Sequence, residues 1–355
     1  MITLILVILV ISVLIFVHEL GHFFSARRLG VRVEEFGFGF PPKVLSWTKK
    51  GVRYSLNLLP FGGFVKIFGE HGEGDDDKAS FSSRPVWQRF VILSAGVLMN
   101  VLLAWLFFSF GSAVGVPQIT DDKNDKIPVS VISVLPDSPA EKAGFRFGDK
   151  ILELRGDETS LRPESEKDVR DFVDAYRGEE ITLVVQKGDK VREIRATPRV
   201  NFPEGEGPLG IAMARIMVKR APWYLAPVEG LMVLGRSVYA TVYSLLLIVK
   251  ELFVSGKTTA AVAGPIGIFL FAEDTRSLGL SFFLQFVGVL SVNLAILNFL
   301  PIPALDGGRA LFLVLEKIRG KRIDPKIENF AHTIGFAFLV VIMVVVTYRD
   351  IVRIL

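Results

Sequence analysis

Apolar residues gather in four runs, Ile2 to Phe24, Phe90 to Val116, Leu280 to Leu300 and Ala331 to Thr347. Runs of about 17 to 27 such residues predict helices that cross a bilayer. Between the second and third runs the pattern changes. Val129 to Val134 alternates as a strand, Ser138 to Gly144 starts a short helix, and Gly148 to Leu154 turns into a second strand. Asp168 to Tyr176 suits an amphipathic helix, and Ile181 to Gln186 with Val191 to Ala196 reads as a hairpin around Gly188-Asp189. Tyr54 to Leu59 can form a strand and Pro60 to Gly63 a turn, which predicts a β-hairpin between the first two spans. Trp223 to Val254 is apolar enough to span but carries Glu229, Arg236, Ser237, Lys250 and Glu251. It is expected as one or two amphipathic helices on the outer interface, because one more crossing there would put Asp306 on the opposite face from His18 and His22.

These elements predict a polytopic α-helical membrane protein with about four transmembrane helices, a membrane-associated β-hairpin and one extracytoplasmic α/β domain. The expected division is 1–116 and 280–355 for the two halves of the membrane core, 117–221 for the extracytoplasmic domain and 222–279 for interfacial helices. The loop after the first span carries Arg27, Arg28, Arg32, Lys43, Lys49 and Lys50, and the loop after the third carries Arg309, Lys317, Arg319, Lys321 and Arg322. Basic loops stay in the cytoplasm, so both termini and the polar domain face out.

Composition agrees with a membrane protein: half of the 355 residues are hydrophobic, and the 22% that are charged lie mostly between the apolar runs. The absence of Cys excludes disulfides and thiolate ligands, so a transition-metal site must draw on four His and the carboxylates. A net charge of +4 spread along the chain does not suggest nucleic-acid binding. Gly69 to Ser83 is rich in carboxylates, including Glu70, Glu73 and Asp75, and reads as a solvated loop with His71 at the surface. His332 reads as a packed residue and Asn100 as a helix contact.

Candidate chemistry sits inside the first apolar run, where Glu19 is the one acid or base besides His18 and His22 from Ile2 to Ala26. Two His four residues apart share one helix face, so both can reach one zinc ion, and Glu19 is placed to activate its water. His18 lies roughly 24 Å along the helix from Ile2, so the metal would sit within the bilayer, nearer the cytoplasmic face. A secretory signal peptide does not fit, since no Lys or Arg precedes the run. A third ligand is needed to leave an open position. The candidate is Asp306, in a segment where Pro301 and Pro303 break the helix and two glycines free the backbone.

HELGH at 18–22, GFGF at 37–40, LPFGGFVK at 59–66, AGVLMN at 95–100, GPIGI at 264–268 and NFLPIPALDGG at 298–308 together resemble the site-2 protease family of intramembrane zinc metalloproteases, close to its bacterial regulator-of-sigma-E branch. The resemblance covers nearly the whole chain. It implies Zn2+ held by His18, His22 and Asp306, Glu19 as general base, and substrate contact by Asn298 and Asn293. Extended substrate is expected to pair along Leu56, Asn57 and Leu58. The polar domain resembles a PDZ domain in permuted order, with Leu209, Gly210 and Ile211 in its carboxylate-binding loop. Expected partners are single-span membrane proteins, such as a pre-trimmed anti-sigma factor or remnant signal peptides, together with membrane lipid, in the bacterial inner membrane. This chain departs from the branch in having room for one such domain rather than two, and Val97 where Pro is common. Two rival readings are a non-catalytic membrane scaffold and a divalent-metal transporter, though the paired halves of a transporter are missing.

Overall fold

The computed structural model describes residues 2–354 apart from 71, 73, 75, 121–126, 158, 204 and 256–263. The expectations for His71, Glu73 and Asp75 therefore lie outside the described residues. The chain forms two compact units, one of Met1–Ser109, Gly230–Phe269 and Val287–Leu355, the other of Phe110–Glu229 and Leu270–Phe286.

The first unit is mainly helical. Its elements are α1 (Ile2–Arg28), strands β1 (Val33–Lys49) and β2 (Val52–Ile67), most of α2 (Val86–Val114), α5 (Ala226–Ser255), the start of α6 (Pro265–Leu278), most of α7 (Leu280–Phe299), α8 (Asp306–Arg319) and α9 (Pro325–Ile354). Apolar runs become helices because a helix satisfies all its backbone groups internally, which lipid demands. Among the described residues five helices are long and apolar enough to cross a membrane: α1, α2, α5, α7 and α9. The expectation was four. The region expected as one or two interfacial helices is one continuous helix of 30 residues. Its charges explain this: Glu229, Lys250 and Glu251 sit near the ends, leaving Arg236 alone within the apolar stretch.

The β-hairpin is present and the chain turns at the expected Pro60 to Gly63, but not only there. The chain reverses at Lys50-Gly51, where both residues have positive φ, 50° and 77°, as a two-residue hairpin turn requires. β2 itself reverses between 57 and 63, where Pro60 to Gly63 lie, and β1 reverses between 38 and 43, so residues 33–38 run alongside 53–56 on one side and opposite to 63–67 on the other. The order across this sheet is 43–49, 52–57, 33–38, 63–67, which leaves 63–67 as one edge.

The second unit is a sheet in the order β3-β9-β4-β5-β7-β8, with β6 beside β5. Its strands are β3 (Val116–Ile119), β4 (Val129–Val134), β5 (Lys150–Arg155), β6 (Ser160–Leu161), β7 (Ile181–Lys187), β8 (Lys190–Ala196) and β9 (Ile211–Lys219), with helices α3 (Pro139–Ala143) and α4 (Glu166–Ala175). The strands expected at β4, β5, β7 and β8 form, and α4 starts at a capping box between Ser165 and Asp168. Val129, Val131, Leu154, Val169, Leu183 and Val185 make its closed apolar core. The end of α6 belongs here, not to a separate interfacial region: Phe271 packs 5.2 Å from Phe147, and Lys187 binds Asp274. Burial pushes the Asp274 carboxyl up, and the Lys187 ammonium only partly offsets it.

Candidate metal centre

Helix α1 presents His18 and His22 one turn apart on one face, both almost fully buried, with rings edge to face at 4.8 Å. Asp306 reaches them from the other end of the sequence. Pro301 and Pro303 prevent α7 from continuing, and the turn that follows is tight enough to need glycine at 307 and 308. A Cβ at Gly307 would lie 2.2 Å from the Leu300 carbonyl oxygen, and one at Gly308 2.3 Å from that of Ile302. His332, the packed residue expected, accepts the Ala304 N–H at 2.7 Å and pins this turn. Asp306 then opens α8, where the positive end of the helix dipole favours a carboxylate.

His18 Nε2 and His22 Nε2 lie 2.9 and 3.2 Å from Asp306 Oδ2 and 3.2 Å from each other. Tetrahedral zinc with bonds of about 2.0–2.1 Å separates its ligands by about 3.3–3.4 Å, so this near-equilateral triangle has the dimensions of one face of such a site. His22 Nδ1 donates to the Ile92 carbonyl at 2.8 Å, which leaves its Nε2 lone pair for a metal. His18 Nδ1 lies 3.3 Å from the Asn100 amide, whose Oδ1 has no other partner. With that oxygen turned to His18, the imidazole donates through Nδ1 and its Nε2 is also free to coordinate.

Two of these residues were not legible as functional. Asn100 was expected only as a helix contact. Gly96 was read only as part of the motif at 95–100, with no role of its own, yet a Cβ there would sit 2.4 Å from His22 Nε2 and 2.8 Å from His18 Nε2. The faint signal was a small residue one turn before a buried amide.

Glu19 stands beside the triangle, a little further round α1, and its Oε2 accepts the Val65 N–H at 3.0 Å. Edge residues 63–67 can come this close because Gly62 and Gly63 lie against α1 with no side chain between: a Cβ at Gly62 would be 3.0 Å from Ile15. Ser12 of α1 also donates to the Pro60 carbonyl. A cavity of about 310 Å3 opens here, lined by Glu19, His22, Phe64, Val65, Asp306 and Arg309 among others.

Of the residues expected at the substrate, Asn298 is brought in, its amide nitrogen 3.5 Å from His18 Nε2. Asn293 is not, since its Oδ1 accepts from Thr241. Asn57 is buried and donates to the Gly39 carbonyl at 2.9 Å, tying the sheet together. Leu56 already pairs with Leu45 on one side and Phe38 on the other, so it has no free edge, while Leu58 is exposed. In the second unit Leu209 is buried, Gly210 turns with φ 74° and its N–H donates to the Gly207 carbonyl, and Ile211 begins β9. These three line a cavity of about 540 Å3 with α4 on its far wall.

Two imidazoles, a carboxylate and an adjacent Glu, set in helices apolar enough to span a bilayer, define a class of metal-dependent hydrolases built into membranes. Residues 6–342 match Peptidase family M50, and the chain belongs to that family. It is 30% identical to zinc metalloprotease RasP of Oceanobacillus iheyensis over 99% of both chains. A Clostridium perfringens protein named as a candidate zinc metalloprotease is 33% identical over 96% of each chain. A chloroplast protein of Arabidopsis thaliana named as a candidate membrane metalloprotease is 32% identical over 89% of this chain and 72% of its own. The PDZ domain of an SdrC-like protein of Listeria monocytogenes overlaps 27% of this chain and 92% of its own at 24% identity, with a TM-score of 0.21. The protein is a multi-pass membrane zinc metalloprotease, and the scaffold and transporter readings fall.

Proposed function

We propose that this protease hydrolyses a peptide bond in or near the transmembrane segment of single-span membrane proteins, at a zinc held by His18, His22 and Asp306. The observation that carries the reading is a buried three-ligand triangle, with Glu19 beside it bound to an open strand edge inside an apolar helix. When bound, zinc supplies a Lewis acid for the scissile carbonyl and lowers the pKa of attacking water toward about 7. Glu19 accepts the water proton and returns it to the leaving amine. The Val65 N–H orients that carboxylate.

A helical substrate hides its carbonyls in its own hydrogen bonds and must be unwound first. The expected pairing along Leu56 to Leu58 moves to the edge at 63–67, which has backbone groups to offer and borders the cavity. Extended substrate adds there as a further strand, with Asn298 contacting its backbone.

Four crossings fit this function better than five. Ser281 donates to the Gly115 carbonyl, so the end of α2 and the start of α7 lie together, and the chain between them crosses an even number of times. Asp350, near the end of α9, accepts from the Gly264 and Gly267 N–H groups, about 22 Å along α9 from Gly335, which packs on Pro303 beside the metal site. Gly264 is thus back on the face remote from the site. The chain from Gly115 to Gly264 therefore makes no net crossing. The basic loops then face the cytoplasm and the sheet unit the outside of a bacterial inner membrane, in contact with lipid.

In the sheet unit, β3 pairs with β9 at 216–219, and among the described residues nothing pairs with 211–214 on that side, beside α4. That groove suits a peptide C-terminus laid along β9 as in PDZ domains, with Leu209, Gly210 and Ile211 at its end. Substrates are proteins already trimmed outside the membrane, such as an anti-sigma factor or a remnant signal peptide. The test is cleavage of a model single-span substrate by purified wild type, Glu19→Gln and Asp306→Ala, with zinc assayed in each. Cleavage by wild type alone, with zinc kept in Glu19→Gln and weakened in Asp306→Ala, supports the reading; turnover by Glu19→Gln sinks it.

A further inference from the structure

Asp306 is the one ligand of the triangle that α1 does not supply, so its place depends on what fixes α8. One turn on from Asp306, Arg309 lies on the same helix face and donates through Nη1 to Glu70 Oε1. Both side chains are mostly buried, 23% and 18% exposed. Glu70 lies in the turn after β2, three residues past its end, and its N–H is held by the Ile67 carbonyl at 3.3 Å. Two residues before Ile67 is Val65, whose N–H binds Glu19. The pair thus links the helix bearing the third ligand to the strand that orients the base. The far end of α8 is pinned separately, Glu316 taking two hydrogen bonds from Arg89 of α2 at 2.5 and 3.0 Å.

A guanidinium and a carboxylate buried together gain little net stability over apolar residues of the same size, so stability alone does not account for this pair. Its position offers another role. Glu70 and Arg309 line the catalytic cavity and also a second cavity of about 310 Å3, reached among Asp324, Glu328 and Asn329, so the pair is the wall between them.

We infer that Glu70 and Arg309 are positioning residues whose ion pair holds α8 so that Asp306 stands between His18 and His22 before a metal arrives. The inference rests on Asp306 being a ligand. The protein then does not spend binding free energy on ordering α8, and retains zinc more tightly than three untethered ligands could.

The experiment uses the full-length protein in detergent, with Glu70→Gln, Arg309→Gln, Arg309→Lys and the double variant Glu70→Arg with Arg309→Glu. Zinc affinity is measured by competition with a chelator, and the absorption spectrum of the cobalt-loaded protein reports ligand geometry. Losing the pair should weaken zinc binding about 10- to 100-fold, as loss of supporting groups around metal ligands does. The single Gln variants should show an altered cobalt spectrum, Arg309→Lys should fall between them and wild type, and the double variant should regain most of the loss. Wild-type affinity in both Gln variants, or a double variant no better than either, overturns the inference. Melting of the metal-free forms identifies a Gln variant that fails to fold, and Arg309→Lys then decides: wild-type affinity and spectrum in it overturn the positioning role. Unchanged zinc binding in Asp306→Ala would instead overturn the ligand assignment on which the inference stands.

Discussion

Both units bury apolar side chains, but the helical unit also gathers polar ones at its centre. In the sheet unit the interior is aliphatic, with Val129, Val131, Leu154, Leu183 and Val185 wholly enclosed. In the helical unit His18, His22, Asn100 and Ser291 are buried, while α9 exposes Phe336, Phe338, Val341, Met343 and Val345. Water drives the first pattern. In the second, apolar side chains gain nothing by leaving lipid, and the interior becomes the place where polar groups find one another. A site needing two imidazoles and two carboxylates therefore belongs in the helical unit, where polar burial is also what holds the helices together.

The sharpest test of that contrast is chemical. Glu19→Gln should lower turnover by about 10^2- to 10^4-fold, the usual worth of a general base, while zinc content stays at the wild-type level. The sheet unit should respond to volume instead. Leu183→Ala removes a wholly buried side chain and should cost about 2–5 kcal/mol, seen as faster proteolysis confined to residues 110–229. Back in the helical unit, Asn100→Ala removes little volume but strips His18 of its partner. It should reduce zinc affinity about 10- to 100-fold in chelator competition with no matching loss of helix content by circular dichroism. Smallest of all, Val341→Ala on α9 faces outward and should change thermal stability by less than about 0.5 kcal/mol in detergent. A large loss there would mean that α9 is covered by protein, and the contrast would fail on that face.

How much of this was legible in the sequence follows the same divide. His18, Glu19 and His22 were readable because one helix turn brings them together, and β7 and β8 because two residues separate them. Asp306 could be anticipated because a broken helix ending on the correct face is a local signal. What escaped notice is nonlocal. Asn100 meets His18 from 82 residues away, and Glu70 meets Arg309 across 239. Their chemistry depends on how helices pack, which no period reports. The turn at Lys50-Gly51 was missed for another reason: Pro60 and two glycines outweigh it as a turn signal, and they do mark a reversal of the chain, where the glycines also serve the close approach of β2 to α1.

The hydrogen bond from Ser281 to Gly115 joins residues 166 apart, so the excursion between α2 and α7 is tied at its base. Once its ends are fixed, lengthening such an excursion is cheap, since each doubling adds only about 0.6 kcal/mol of closure entropy. The sheet unit is in that sense a cassette. A second copy spliced in line, or a different sensor domain, would leave the fastening unchanged. The number and type of domains carried at this point are then free to follow the molecules they must recognise, with the helical core indifferent to the exchange.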